Sequence, residues 1–180
     1  MNFLGGGELL PSGILMDILS DLVCDSIGLD ELCESIFFIL CGFDEAQMNM
    51  TMIDTLLHHV PAGTSTNTLV HYAQCINAKK FQYYDYGSKA ANNEHYGQAT
   101  PPEYQLEKIT IPIASYWSLN DWLAHPIDVL KFHNEIPNLF DNYEVPFPEW
   151  NHLDFLWGID AHDLVYSRVM ENLEKFRKIQ

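Results

Sequence analysis

The 180-residue sequence predicts an α/β fold, on three observations. Apolar runs at 109–117 and 139–145 have strand length and flank a helical pattern over about 124–134. A last helical pattern follows, and strand–helix–strand–helix order implies parallel strands joined by a right-handed crossover. The composition, 47% hydrophobic and 19% charged, is that of a globular chain long enough to bury a core, as one domain or one domain with a small insertion.

The first sixty residues read as helical. Ser12 is placed to cap a helix whose apolar positions Ile14, Leu15, Ile18, Leu19 and Leu22 recur at helical spacing. Asp30 is placed to cap a second helix through Ile36, Phe37 and Leu40, ending near Gly42. A third pattern, Leu69, Tyr72, Ala73 and Ile76, follows the loop at 61–65. Residues 81–108, rich in Tyr, Asn, Gln and Pro, read as a long ordered loop. The final helix has Asp160 and Asp163 in capping-box-like positions, with Leu164, Val165, Val169, Leu173 and Phe176 on its inner face. No internal repeat or low-complexity segment is present.

The net charge of -16 argues against nucleic acid and anionic membrane surfaces as partners, because few cations are available to pair with phosphates. It suits work at low pH, where protonation relieves the self-repulsion. The longest apolar run, 36–43, is too short to span a bilayer. No signal peptide is visible, since the N-terminus has neither a basic region nor a long apolar core. Two features nevertheless suggest a secretory-pathway protein with a missing N-terminal part. Cys24 and Cys33 are close enough in sequence to bridge a helix–helix connection, and Asn49-Met50-Thr51 is a glycosylation sequon.

Reactive side chains collect at the carboxyl ends of strands in open α/β sheets. Asp121 follows the first strand run and His152 the second, the order in which an α/β-hydrolase completes a Ser…Asp…His triad. The aspartate would fix the imidazole tautomer, and the histidine would carry the proton to and from a serine. The one near match to G-x-S-x-G is Gly63-Thr64-Ser65-Thr66-Asn67. A nucleophile elbow needs a buried strand and a small residue two positions after the serine, whereas Asn67 stands there, so Ser65 reads as a helix-start serine. Metal binding is disfavoured: His58 and His59 are adjacent and point apart, and Cys24 and Cys33 have no companion CxxC. Asp154 reads as a loop-stabilising acceptor rather than the triad acid. Trp117, Trp122, Trp150, Phe155 and Trp157 crowd both candidates; their plain role is packing, and some could line an apolar acyl pocket.

Several stretches carry a family pattern, in order: Leu40-Cys41-Gly42-Phe43, Pro61-Ala62-Gly63-Thr64-Ser65, Lys80-Phe81-Gln82, Tyr84-Asp85-Tyr86-Gly87-Ser88, His95-Tyr96-Gly97-Gln98 and Pro101-Pro102-Glu103-Tyr104. They continue with Asp121-Trp122-Leu123-Ala124 and the run Trp150–Ala161. In these stretches the chain resembles the acid lipase family, which includes gastric and lysosomal acid lipases, from about Leu10 onward. The resemblance implies hydrolysis of neutral lipid esters (triacylglycerols or steryl esters) at an acidic lipid–water interface, with no cofactor or metal, in a lysosomal or secreted protein. It implies an α/β-hydrolase core with a helical cap: residues 1–58 match part of the cap and 59–180 the C-terminal part of the core. The triad acid falls on Asp121 and the triad histidine on His152. The family's cap disulfide falls on Cys24 and Cys33, and its free cysteine on Cys41, while Cys75 has no counterpart.

The family's early core strands and nucleophile elbow precede the cap, and the resemblance begins after them. The chain is thus expected to be inactive alone, with an unpaired sheet edge and poor stability. Ser118-Leu119-Asn120 also replaces the family's glycine-containing turn before the aspartate. The rival expectation is a non-catalytic lipid- or partner-binding remnant.

Overall fold

The computed structural model describes residues 8–9, 41–42, 44–52, 55–56 and 63–177. The expected helices through Ile14–Leu22 and Ile36–Leu40, the Cys24/Cys33 pair and His58-His59 lie outside the described residues. The chain divides into two compact units, Met1–Asp17 with His59–Gln105, and Ile18–His58 with Leu106–Gln180.

In the first unit, β1 (Glu8–Leu9) pairs antiparallel with β2 (Thr64–Ser65). Helix α1 (Thr66–Ala78) starts where Ser65 Oγ accepts the Asn67 N–H at 3.2 Å and ends at Lys79, which turns left-handed with φ 55°. The predicted helix is present, but its apolar positions Leu69, Tyr72 and Ile76 are exposed. The 81–108 region contains a helix where a loop was expected: α2 (Lys89–Tyr96) is capped by Ser88 Oγ on the Ala91 N–H and stopped by Gly97 at φ 69°. It carries no apolar stripe; a single polar residue, Asn92, is its buried anchor. Asn92 Oδ1 accepts the Tyr86 N–H, while its Nδ2 donates to Asp85 Oδ1 and the Ala99 carbonyl. Polar side chains therefore satisfy backbone that no sheet or helix ladder reaches.

In the second unit, β3 (Ile113–Trp117) and β4 (Leu139–Glu144) run parallel, linked by α3 (Pro126–Glu135), which confirms the strand–helix–strand reading. β3 begins later than its apolar run because Pro112 has no N–H to give a ladder. Pro126 opens α3 at the first helical position, where a missing N–H costs nothing. His133 on α3 bonds Ser115 Oγ at 2.8 Å and so pins the helix to β3. Among the described residues β3 and β4 pair only with each other.

The chain then forms a short helix α4 (Asp154–Trp157), a π-helical turn at His162–Tyr166, and α5 (Ser167–Arg177). Val145, Trp150, Ala161 and Val165 form a buried cluster against which Tyr116, Tyr143, Phe155 and Val169 pack. The expected inner face holds for Leu164, Val165 and Val169 and then fails. Leu173 is 60% exposed, Phe176 only meets Phe140 edge-on, and Asn172 is buried instead. The π turn explains this: an i→i+5 bond, here from Ser167 N–H to the His162 carbonyl, adds a residue and rotates every later position relative to a 3.6-residue repeat. The capping box is also absent. The Asp160 carbonyl takes the Asp163 and Leu164 N–H groups, while its carboxylate accepts from Gln47 Nε2.

Asn172 Nδ2 reaches both Tyr116 Oη on β3 and Asp141 Oδ2 on β4. Asn172→Ala should therefore lower stability by about 1–3 kcal/mol, whereas Leu173→Ala should change it by less than about 0.5 kcal/mol. Urea denaturation of the two variants measures this, and the opposite ranking would mean that the helix face runs uninterrupted through the π turn.

Candidate active site

Asp121 and His152 each lie in irregular chain beyond a strand end, and both belong to the second unit. The ladder's last contact is the Val145 N–H on the Trp117 carbonyl at 2.8 Å. From there Ser118, fully buried, leads towards Asp121, and the Val145–Asn151 loop leads to His152. The two side chains meet: His152 Nδ1 is 3.1 Å from Asp121 Oδ1 and 3.0 Å from Oδ2. Since a carboxylate only accepts, Nδ1 carries the proton and the neutral ring keeps its lone pair on Nε2.

Asp121 is 3% exposed. Burial alone would raise its pKa, but the bond from His152 and the N–H groups of Ala124 (2.7 Å) and Leu123 (2.9 Å) outweigh it and hold the carboxyl below its usual range. The same bond to Asp121 raises the pKa of His152, against the opposing effect of partial burial. Asp121 is thus held ionised and oriented by backbone, and His152 is oriented by Asp121.

A segment distant in sequence closes the arrangement. Gly42 has φ 110°, a left-handed conformation that residues with a Cβ rarely adopt. The Cys41 carbonyl accepts the N–H groups of both Trp122 and His152, at 3.4 and 3.3 Å. The Cys41 thiol is buried beside Met48 and Leu153, and its pKa is pushed up to about 11 by burial and then by Asp121 and Asp154. It is an inert thiol at neutral pH. Further along, Gln47 bonds Asp160 through both ends of its amide and accepts the Ile159 N–H on its own carbonyl.

Asp154 accepts the Asn151 N–H at 2.6 Å, the loop-stabilising role read from sequence. Its neighbour is not marked by any local pattern. Asp44, 4% exposed, lies beside Asp154, and its Oδ2 is buried without a hydrogen-bond partner. Burial first, and then the Asp44 carboxyl, push Asp154 up to about 7, and burial likewise raises Asp44. One proton on the pair removes the like-charge repulsion.

The aromatic residues divide. Trp150 and Trp117 are core, Phe155 and Trp157 are half-buried, and Trp122 is 48% exposed. Ser65, in the first unit, caps α1 with its Oγ. Among the described residues no His, Cys, Asp and Glu cluster could hold a metal ion.

No protein-family model matches the chain. Curated relatives do match it over nearly its whole length. It is 38% identical over 173 residues to lysosomal acid lipase/cholesteryl ester hydrolase of Homo sapiens, covering 96% of this chain and 43% of that protein. It is 37% identical over 177 residues to gastric triacylglycerol lipase of Homo sapiens, covering 98% and 44%. The mouse (Mus musculus) gastric triacylglycerol lipase is 41% identical over 166 residues, with 92% and 42% covered. The chain spans less than half the length of the curated relatives it matches.

The shifted carboxyls set a pH dependence. Asp154 has a folded pKa raised above its ordinary 3.8 to about 7, so the native state binds more protons and stability falls as pH rises between those values. The raised His152 acts in the same sense, its contribution being complete below its unfolded value and lost as pH rises through the folded one. The lowered Asp121 and Asp141 act oppositely, stabilising above their ordinary value of 3.8 and failing only as pH falls through their folded values. Unfolding free energy should then be larger at about pH 5 than at about pH 7.5, by roughly 1–3 kcal/mol. Asp154→Asn should flatten most of that slope. Denaturant titrations across this range test it, and stability rising towards pH 7.5 would show that no proton is shared.

Proposed function

We propose that this chain, which belongs to the acid lipase family, supplies the acid and the base of a Ser–Asp–His ester hydrolase acting on neutral lipid esters. The carrying observation is that both oxygens of a buried, backbone-bonded Asp121 lie within 3.1 Å of His152 Nδ1. In this reading His152 Nε2 takes the proton of an attacking serine and returns it to the leaving alcohol, while Asp121 stabilises the imidazolium that forms. The ester carbonyl becomes an acyl-enzyme, which water then releases. Ser65 is read as a helix cap and not as the nucleophile, since its Oγ accepts the Asn67 N–H and Asn67 stands where a nucleophile elbow needs a small residue; in this reading the serine lies outside these residues. By the family resemblance we assign residues 1–58 to the cap and 59–180 to the core, and Cys24 and Cys33 to the cap disulfide.

The relatives' names supply the substrate class, a triacylglycerol or a cholesteryl ester, and suggest a lysosomal or secreted protein. The sequon supports the secretory route. Asn49 is exposed, and Thr51 Oγ1 and N–H both donate to Asn49 Oδ1, at 2.7 and 3.1 Å, so the acceptor is presented in a local turn at the surface. No helix among the described residues is long and apolar enough to cross a membrane.

His152→Ala, in a protein of full family length, should lower hydrolysis of an emulsified triacylglycerol by roughly 10³-fold or more. Near-normal turnover would remove His152 from the reaction. On the 180-residue chain a serine-reactive fluorophosphonate should leave Ser65 unlabelled; labelling abolished by Ser65→Ala would make Ser65 the nucleophile.

A further inference from the structure

The ladder between β3 and β4 stops at Val145, yet the Asp121 and His152 side chains are held within hydrogen-bond distance well beyond it. Three bonds onto residues 41 and 42 span that gap. Two are the shared and rather long bonds to the Cys41 carbonyl from Trp122 and His152. The third is shorter: Asn151 Nδ2 donates to the Gly42 carbonyl at 3.0 Å, across 109 positions of sequence. Asn151 has 0% exposure, and its Oδ1 accepts the N–H groups of Leu153 at 2.7 Å and Asp154 at 3.2 Å. One amide thus fixes the backbone on both sides of His152 and ties it to residue 42.

The acid side meets the same point. Gly42 approaches the Asn120 carbonyl so closely that a Cβ would lie 2.1 Å from it, and its φ of 110° is one that side chains rarely adopt. Asn120 Nδ2 in turn donates to the Glu149 carbonyl at 2.6 Å. Residues 41 and 42 therefore touch the residue before Asp121, the residue after it, and the two residues Asn151 and His152.

We infer that Asn151 is a positioning residue: by clamping the histidine loop to Gly42 it sets the distance between His152 and Asp121, without touching substrate. The inference rests on Asp121 and His152 being the acid–base pair. Loss of the clamp leaves both side chains present and both strands paired, but lets the loops separate, so the pair's hydrogen bond is what should fail first.

The test uses NMR on the 180-residue chain, following the low-field His152 Nδ1 proton and the pH titration of the ring. Asp121→Asn is the reference for a broken pair and should lower the His152 titration midpoint. Asn151→Ala should lose the low-field resonance and reproduce at least about half of that drop, while near-UV dichroism of the Trp150 core stays native. A folded Asn151→Ala chain with the unmutated resonance and midpoint overturns the clamp. If Asp121→Asn itself leaves His152 unchanged, the acid–base pair is what fails instead. Where Asn151→Ala does not fold, amide exchange in the unmutated chain decides. Trp122 and His152, held by one carbonyl, should open together, with protection within about threefold; factors differing by more than about tenfold overturn the clamp.

Discussion

The second unit is organised around the carboxylate of Asp141. It sits at the middle of β4, 8% exposed, in a position where a charge survives only if it is fully answered. Arg168 answers it with a two-pronged bond from α5 and lies 4.5 Å over the Tyr143 ring. Asn172 adds a third donor and extends to Tyr116 on β3. Arg168 in the first place, and then Asn172, keep the carboxyl ionised. Both strands and the terminal helix are thereby joined through one side chain, and the strand ends that lead to Asp121 and His152 inherit their spacing from it.

This explains which parts of the fold were legible in the sequence. The strand–helix–strand unit announced itself through apolar runs and Pro126, because such elements obey local periodicity. The helix Lys89–Tyr96 did not, since its anchor is the amide of Asn92 and not an apolar stripe. The capping serine and closing glycine were its only markers. The far half of α5 was misread for a different reason: the π turn at His162–Tyr166 shifts the repeat, and no residue type signals it. Position past a strand end was enough to nominate Asp121 and His152, whereas the partners of Asn151 and Asp154 lie about a hundred positions away and leave no trace in a linear pattern.

The electrostatics of the unit have two opposed halves. Asp121 and Asp141 are held ionised by donors, while Asp44 and Asp154 are pushed towards the protonated form by burial, Asp154 also by the Asp44 carboxyl. All four are at most 8% exposed, so each state is imposed by surroundings and not by solvent. The net charge of -16 adds a diffuse repulsion that acid relieves. A chain built this way favours mildly acidic solution in its interior as well as at its surface.

The bonds onto residues 41 and 42 also bear on modularity. Asp121 and His152 occupy one contiguous stretch, the sort of block that recombination could move between scaffolds as a cassette. Such a transplant would carry Asp121, His152 and Asn151, but not the two carbonyls to which their loops bond. A recipient would have to offer its own turn, with a glycine able to approach Asn120 as closely as Gly42 does. The heritable unit of this arrangement is therefore discontinuous, and an exchange that respected only the strand–helix–strand boundaries would deliver the two side chains without the contacts that frame them.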